Sequence, residues 1–512
     1  MTLIQSLLKL DAYPHPVSAI ELIETHISWV ILTGQYAYKI KKPVQFDFLD
    51  FSTLEKRSFY CEEELRLNRR FATNLYLQVV PITGTVKNAQ INGDGEIIDY
   101  ALQMQQFTAS QVLSEMVNQG RLEVEIIDQL ADLVANFHHH ANVDTTDSCY
   151  GSITEIRHWF LGNFANIYPL VENDRFLQQL TELENWGEQE LLKNESLIRQ
   201  RKQQGVIREC HGDLHLGNIA VLDNCVTPFD GIEFNPALRW IDVIDEVAFV
   251  MMDLEQHNLK PFAYRFLNRY LHHSGDYHGL NLLRYYLVYR ALVRTKVALL
   301  REPSHLYAAK SYAALAEKFS RFKTPFLLIT HGYSGSGKST FSAKLAETLG
   351  MVHLRSDVER QRLFSKSKNK YSAEHTPQTY QTLADFAVDI LAAGFSVIID
   401  ATFLKFEQRA LFQTLAATQQ VRFVILDFQA TEEELSCRII QRQQLNNDIS
   451  EATLEVLQQQ LKTAQPLTTN EQTHVIQVDN KVLSLEKLFH PLQGEQHDTT
   501  SKLYSLVQRI ND

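Results

Sequence analysis

Cysteine is scarce: Cys61, Cys149, Cys210, Cys225 and Cys437 are five in 512 residues, far apart and never in a C-x-x-C pair. That pattern points to neither a disulfide framework nor a zinc site, and predicts reduced thiols, mostly in the core. Glycine and proline are also few, 20 and 13, against 45% apolar and 21% charged residues, which excludes a mainly disordered or fibrous chain. Long hydrophobic runs are missing. No stretch approaches the length of a membrane span, and Met1 to Pro16 interrupts its apolar pieces with Lys9, Asp11 and two prolines, so it lacks a signal-peptide core. The expectation is a cytoplasmic protein without a membrane partner. Positive charge is short as well: 49 basic against 61 acidic side chains leaves −12, a surface that repels polyanions and argues against a nucleic-acid partner.

What the chain has is length, more than one hydrophobic core sustains, so two or three units are expected. The first hundred residues read as strands around one helix. Ile27 to Leu32 and Tyr36 to Lys41 flank the turn Thr33-Gly34-Gln35, a helical pattern runs from Phe51 to Phe71, and Leu75 to Ile82 and Glu96 to Phe107 are again extended. From Leu122 the spacing is helical to about Ser320, except around His211 to Phe234. After Glu302-Pro303-Ser304, a Lys-containing helix and Thr324-Pro325, strands alternate with helices: Phe326 to Thr330, Val397 to Ile399, Val421 to Phe428 and Val475 to Val478. A boundary there divides the chain into residues 1–320 and 326–512.

Gly332-Tyr-Ser-Gly-Ser-Gly337-Lys338-Ser339 satisfies G-x-x-x-x-G-K-[ST] between the strand Phe326 to Thr330 and a helix expected over Thr340 to Leu349. In that setting the loop Gly332, Ser334, Gly335, Ser336 and Gly337, with Thr340, cradles a polyphosphate through backbone N–H groups at a helix N-terminus. Lys338 reaches the β- and γ-phosphates and Ser339 offers its hydroxyl to Mg²⁺. Val397-Ile398-Ile399-Asp400 is an apolar strand ending in a carboxylate, the form expected of a second residue on the Mg²⁺ side. Val352 to Arg355 reads as the second strand, followed by Ser356-Asp357-Val358-Glu359-Arg360. This block resembles the nucleoside-monophosphate-kinase-like group that includes gluconate and shikimate kinases, zeta-toxin-type kinases and polynucleotide kinases. The resemblance implies that Asp357 deprotonates an acceptor hydroxyl, that Arg360 holds it, and that Arg438 and Arg442, four apart on a helix, form a lid over phosphate or adenine.

His211-Gly-Asp213-Leu-His-Leu-Gly-Asn218 has the spacing H-x-D-x-x-x-x-N of a kinase catalytic loop. Asp213 would accept the acceptor's proton and Asn218 would bind Mg²⁺. Twelve residues on, Phe229-Asp230-Gly231-Ile232-Glu233-Phe234 supplies a metal carboxylate, Asp230 or Glu233, with Asp230 preferred. Upstream, Tyr36-Ala37-Tyr38-Lys39 parallels V-A-I-K, and Glu64 on the following helix would pair with the lysine. Strand parity puts Lys39 and Lys41 on one side and excludes Lys42, and the V-A-I-K parallel selects Lys39. His138-His139-His140, on consecutive helical positions, cannot converge on one metal.

Residues 1–320 thus resemble the aminoglycoside phosphotransferase and choline-kinase-like family, relatives of protein kinases. The two-domain order is similar to that of the bifunctional aminoglycoside phosphotransferase/ATP-binding proteins. The resemblance implies an α+β protein-kinase-like bilobal domain followed by an α/β P-loop domain with a parallel sheet, and places Asp242 and Glu246 behind the catalytic loop. Gly34 is the single glycine in the turn where protein kinases carry G-x-G-x-x-G, a departure from that pattern. The expected function is ATP-dependent phosphoryl transfer to a hydroxyl of a small molecule, with ATP and Mg²⁺ at two sites. Two alternatives stay open: a nucleotide-sensing or partner-binding N-terminal module, and a nucleic-acid 5′-hydroxyl kinase in the P-loop domain. The acceptors and the oligomeric state are not encoded in any motif.

Overall fold

The computed structural model describes residues 2–46, 49–145, 147–301, 306–366, 375–445 and 453–479. Within the expected boundary segment, Glu302-Pro303-Ser304 lies outside the described residues. The chain opens with α1 (Leu3–Leu7), β1 (Glu21–Glu24), β2 (Ser28–Leu32) and β3 (Tyr36–Lys41). The small hairpin β4 (Gln45–Phe46) and β5 (Leu49–Asp50), the helix α2 (Leu54–Asn68), and β6 (Tyr76–Thr85), β7 (Asn88–Ile91) and β8 (Ile97–Gln105) follow. Six of these strands form an antiparallel sheet in the order β1-β2-β3-β8-β6-β7. The Thr53 hydroxyl caps α2 by accepting the Lys56 N–H. Its buried residues are Arg57, Cys61, Glu64, Leu65, Leu67 and Asn68, most of them at helical spacing, so Glu64 is turned inward.

Next come α3 (Leu113–Asn118), α4 (Val124–His140), α5 (Ile153–Ile167), α6 (Asp174–Lys193) and α7 (Glu195–Gln203). The segment around His211 interrupts the helices as expected, and two short ladders flank it. One pairs β9 (Ile207–Glu209) with β12 (Trp240–Asp242), and the other pairs β10 (Ile219–Leu222) with β11 (Cys225–Pro228). Helix α8 (Val243–Gln256) closes this part.

Then follow α9 (Lys260–Ser274), α10 (Leu280–Arg301), α11 (Leu306–Ser320), β13 (Phe326–His331), α12 (Lys338–Leu349), β14 (Val352–Arg355), α13 (Ser356–Leu363) and α14 (His375–Ala392). The last elements are β15 (Val397–Asp400), α15 (Phe406–Thr418), β16 (Arg422–Gln429), α16 (Glu432–Leu445), α17 (Leu454–Thr463) and β17 (Val475–Asp479). The five strands form a wholly parallel sheet in the order β14-β15-β13-β16-β17. Their runs are apolar because helices cover such sheets on both faces; Leu328, Ile398, Val424 and Leu426 pack with Phe341 and Leu345 of α12. Helix α12 begins at Lys338, two residues before the expected Thr340, because Gly337 serves as its N-cap.

Packing divides the chain into two compact units, Met1–Val171 with Gly187–Asp253, and Glu172–Trp186 with Leu254–Asp512. Residues 320–326 mark where parallel strands begin. The packing line falls earlier because α9 lies against α12 and β14, and α10 against α14. One expectation is corrected: Cys61 and Cys210 are buried, but Cys149, Cys225 and Cys437 are exposed. Cys149 sits in a turn, Cys225 opens β11 at its hairpin, and Cys437 points outward from α16. No helix among the described residues is long and apolar enough to cross a membrane.

Candidate functional site

In the second unit, β13 runs into the glycine loop and α12. Gly332, Gly335 and Gly337 take φ of 146°, 83° and 85°, conformations side chains disfavour. A Cβ on Gly332 would lie 2.9 Å from the Phe428 carbonyl oxygen, and one on Gly335 2.9 Å from that of Leu435. Buried Lys338 turns back over the loop, donating to the Tyr333 carbonyl at 2.6 Å and the Ser336 hydroxyl at 3.3 Å. Burial pulls its pKa down to about 8, against the opposing pull of Asp400 and Asp357. Ser339 is partly buried and Thr340 exposed on the first turn of α12.

Asp400 ends β15 beside this loop. Burial works against its charge, yet the His353 ring at 3.3 Å, Arg355 at 3.7 Å and a hydrogen bond from Ser339 hold its carboxyl well below the usual range. An ionised, buried carboxylate paired with a hydroxyl suits a hard divalent cation, so Ser339 and Asp400 fit Mg²⁺. Asp357 and Arg360 lie on the first turns of α13, Asp357 partly exposed and Arg360 buried. Both act electrostatically on Tyr380, whose hydroxyl accepts from Phe403 N at 3.4 Å, and Asp357 also acts on Lys338. Arg438 donates to the Gly335 carbonyl at 3.4 Å, while the charge of Arg442 acts on Lys338. Tyr333 packs against Leu435, Ile439 and Leu457, and the Gln460 side chain brackets Ser334, accepting from its N and donating to its Oγ, each at 3.0 Å. Helices α16 and α17 therefore rest on the loop.

In the first unit, Lys39 and Lys41 project from one side of β3 onto Glu64, each 2.7 Å from one carboxylate oxygen. Lys39 also pairs with Asp230, and Lys41 with Glu233. The two carboxylates left open in the sequence thus each take one of the two lysines. Burial disfavours the Glu64 charge, but the lysines on its two oxygens hold it well below the ordinary carboxylate range. Asp230 stands at φ 62°, its N–H donating to the Tyr76 hydroxyl at 2.9 Å, and the Gly231 N–H donates to Asn68 Oδ1 at 2.8 Å.

Asn218 Nδ2 donates to Asp213 Oδ2 at 2.8 Å and to its carbonyl at 3.0 Å, and His215 Nε2 lies 3.6 Å from the same carboxylate. His211 donates to the Phe229 carbonyl at 2.9 Å, tying the loop to the Asp230 turn. Behind it, Glu246 accepts from Gly212 N at 2.8 Å and meets His138 Nε2 at 2.8 Å. The ligand atoms of His138, Cys210 and Glu246 all lie within 4.8 Å of one another, but both Glu246 oxygens are already bonded. Asp242 instead grips Arg201 through two bonds of 2.7 Å. The carboxylates of Asp213 and Asp230 remain partly exposed.

Several partners carry no motif. Asp253, seven residues after Glu246 on α8, accepts from Leu216 N at 2.9 Å; its spacing on an apolar helix was the available signal. Lys41, Tyr76, His353 and Gln460 belong to the same category, with strand parity the one clue to Lys41.

A family profile described as an AAA domain matches residues 327–467. That segment is a P-loop domain on a parallel sheet. An uncharacterized protein of Mycobacterium tuberculosis is 29% identical over 459 residues, covering 86% of this chain and 90% of its own, and one of Mycobacterium bovis gives the same figures. Among solved structures, an APS kinase of Mycobacterium tuberculosis in complex with AMPPNP and APS is 15% identical with a TM-score of 0.27, covering 37% of this chain and 99% of its own. A gluconokinase from Sinorhizobium meliloti is 18% identical with a TM-score of 0.25, covering 37% and 97%.

Proposed function

We propose that this chain is an ATP-dependent phosphotransferase with one Mg·ATP site in each unit, each transferring a phosphoryl group to a hydroxyl of a small molecule. The observation that carries it is the meeting of buried Lys338, Ser339 and the ionised Asp400 at the end of the parallel strands, where such sheets gather ligands. The loop N–H groups and Lys338 hold the β- and γ-phosphates, and Ser339 and Asp400 would hold a Mg²⁺, which when bound would supply neutralisation of their charge. Asp357 takes the acceptor's proton as its oxygen bonds to the γ-phosphorus and the bond to the β-phosphate oxygen breaks, releasing ADP. Arg360 holds the acceptor, and Arg438 and Arg442 cover the nucleotide.

For the first unit we propose an aminoglycoside-phosphotransferase-like, protein-kinase-like fold. Supporting it are the Lys39–Glu64 pair, the Asn218–Asp213 bond and Asp230 at the turn tied to His211. Lys39 binds phosphate, Asn218 and Asp230 hold Mg²⁺, and Asp213 is the base. Net charge disfavours nucleic-acid acceptors.

The test is full-length protein incubated with labelled ATP and pooled hydroxylated metabolites. Lys338→Ala should abolish one set of labelled products, Asp213→Asn another. Label transfer unchanged by both together refutes the proposal.

A further inference from the structure

Helix α13 carries Asp357 and Arg360, yet it has only eight residues and starts directly from β14, with Arg355 as its N-cap. So short an element does not fix its own rotation; its neighbours do. One neighbour is the segment after α9. The Tyr277 hydroxyl donates to Glu359 Oε1 at 3.0 Å, both side chains being buried. Arg362 pairs with the other Glu359 oxygen and donates to the carbonyls of His272 at 2.7 Å and Leu271 at 3.4 Å, capping the C-terminus of α9. Gly275, at φ 72°, leaves the space: a Cβ there would stand 2.8 Å from Arg362 Nε. Asn268 of α9 bonds the outer edge of β14 twice, donating to the Met351 carbonyl at 3.0 Å and accepting from His353 N at 2.8 Å.

We propose that Tyr277 and Arg362, acting through Glu359, are positioning residues that set the rotation of α13 and so hold Asp357 and Arg360 toward the phosphate loop. Acceptor-side geometry of the P-loop unit is thereby controlled in part by Tyr277, which precedes the P-loop by more than fifty positions. This rests on the reading of Asp357 as the base.

Glu359 has one carboxylate oxygen for each donor, so losing either donor frees the helix to turn without removing any proposed contact with substrate. A small misplacement of a reacting group costs up to about 10²-fold in rate. The experiment uses full-length Tyr277→Phe, which keeps the ring against Phe386, with Arg362→Lys as a second variant and Asp357→Asn as the reference. The probe is Mg·ATP alone, water being the acceptor, with hydrogen exchange followed over residues 356–363. The expected result is faster exchange there, unchanged exchange in 338–349, and kcat down about tenfold with unchanged KM for Mg·ATP. Unchanged exchange overturns the clamp. Faster exchange with unchanged kcat, while Asp357→Asn lowers it, reduces the contact to a structural one and overturns positioning. Unchanged turnover in Asp357→Asn removes the reading of the base, and the proposal with it.

Discussion

Lys39 and Lys41 share one side of β3 and one carboxylate, yet the structure assigns them different costs of removal. Lys41 is 1% exposed and its partners Glu64 and Glu233 are 0% and 4% exposed, so Lys41→Met leaves two dry carboxylates with Lys39 as their nearest cation. Stripping one partner from such a buried cluster costs about 3–5 kcal/mol. In Lys39→Met, Glu64 keeps Lys41, and Asp230, 46% exposed, turns to water, so the cost is closer to about 1 kcal/mol. Of the four tryptophans, Trp29, Trp159 and Trp240 lie in the first unit and Trp186 in the second, so urea unfolding followed by tryptophan emission in a Trp186→Phe background reports the unit that contains this cluster. With a slope of about 2–3 kcal/mol per molar, Lys41→Met should lower the midpoint by roughly 1–2 M and Lys39→Met by a few tenths. Adding Glu233→Met to Lys41→Met should recover a large part, since one orphaned charge is gone. Titration with a fluorescent ATP analogue should give the reverse order, Lys39→Met losing affinity most. Equal midpoints for the two single variants, or normal folding of Lys41→Met with lost nucleotide binding, would refute the division of labour.

Because burial lowers Lys338 from 10.5 to about 8, the folded chain holds fewer protons than the unfolded chain between those values, and its stability should rise with pH across that window by about 3 kcal/mol. Melting the full chain from pH 7.5 to 10 should show that slope reduced in Lys338→Met; identical slopes contradict the assignment. Asp213→Asn should cut phosphate transfer by the first unit about 10²-fold or more while Mg·ATP affinity stays near wild type, measured by labelled-product formation and calorimetry; an equal affinity loss would make Asp213 structural. Gly335→Ala forces a side chain at φ 83° onto the Leu435 carbonyl and should weaken Mg·ATP binding at least about tenfold, whereas unchanged affinity would show that the loop yields.

The residues most legible in the sequence are those whose chemistry is local. The phosphate loop is contiguous, flanked by a strand and a helix, and Asp213 and Asn218 are five positions apart, so spacing alone brings them to one loop. Strand parity put Lys39 and Lys41 on one side, which the shared Glu64 reflects. Parity could not choose between them, because the choice depends on Asp230 and Glu233, which arrive from more than 190 residues downstream. The same limit hid Asp253 and His353, whose partners come from other elements. The periodicity of α9 marks a buried face but does not say what covers it, so the association of residues 254–320 with the P-loop sheet became visible only in three dimensions. The cysteines erred for another reason: a small apolar side chain is tolerated at a hairpin opening or on an outer helix face, as Cys225 and Cys437 are.

Asn268 closes the free margin of β14, one of the two outer strands of the parallel sheet, using its amide as a neighbouring strand would use a peptide group. Protein sheets with an open margin tend to recruit further strands from other molecules. A polypeptide begun at the first β-strand of the P-loop region, the natural cut from sequence motifs, would therefore expose that margin and invite stacking between copies. A fragment begun near residue 254 would carry its own cover, so the solubility of truncation products should depend on whether α9 travels with the sheet rather than on whether the nucleotide motif is complete.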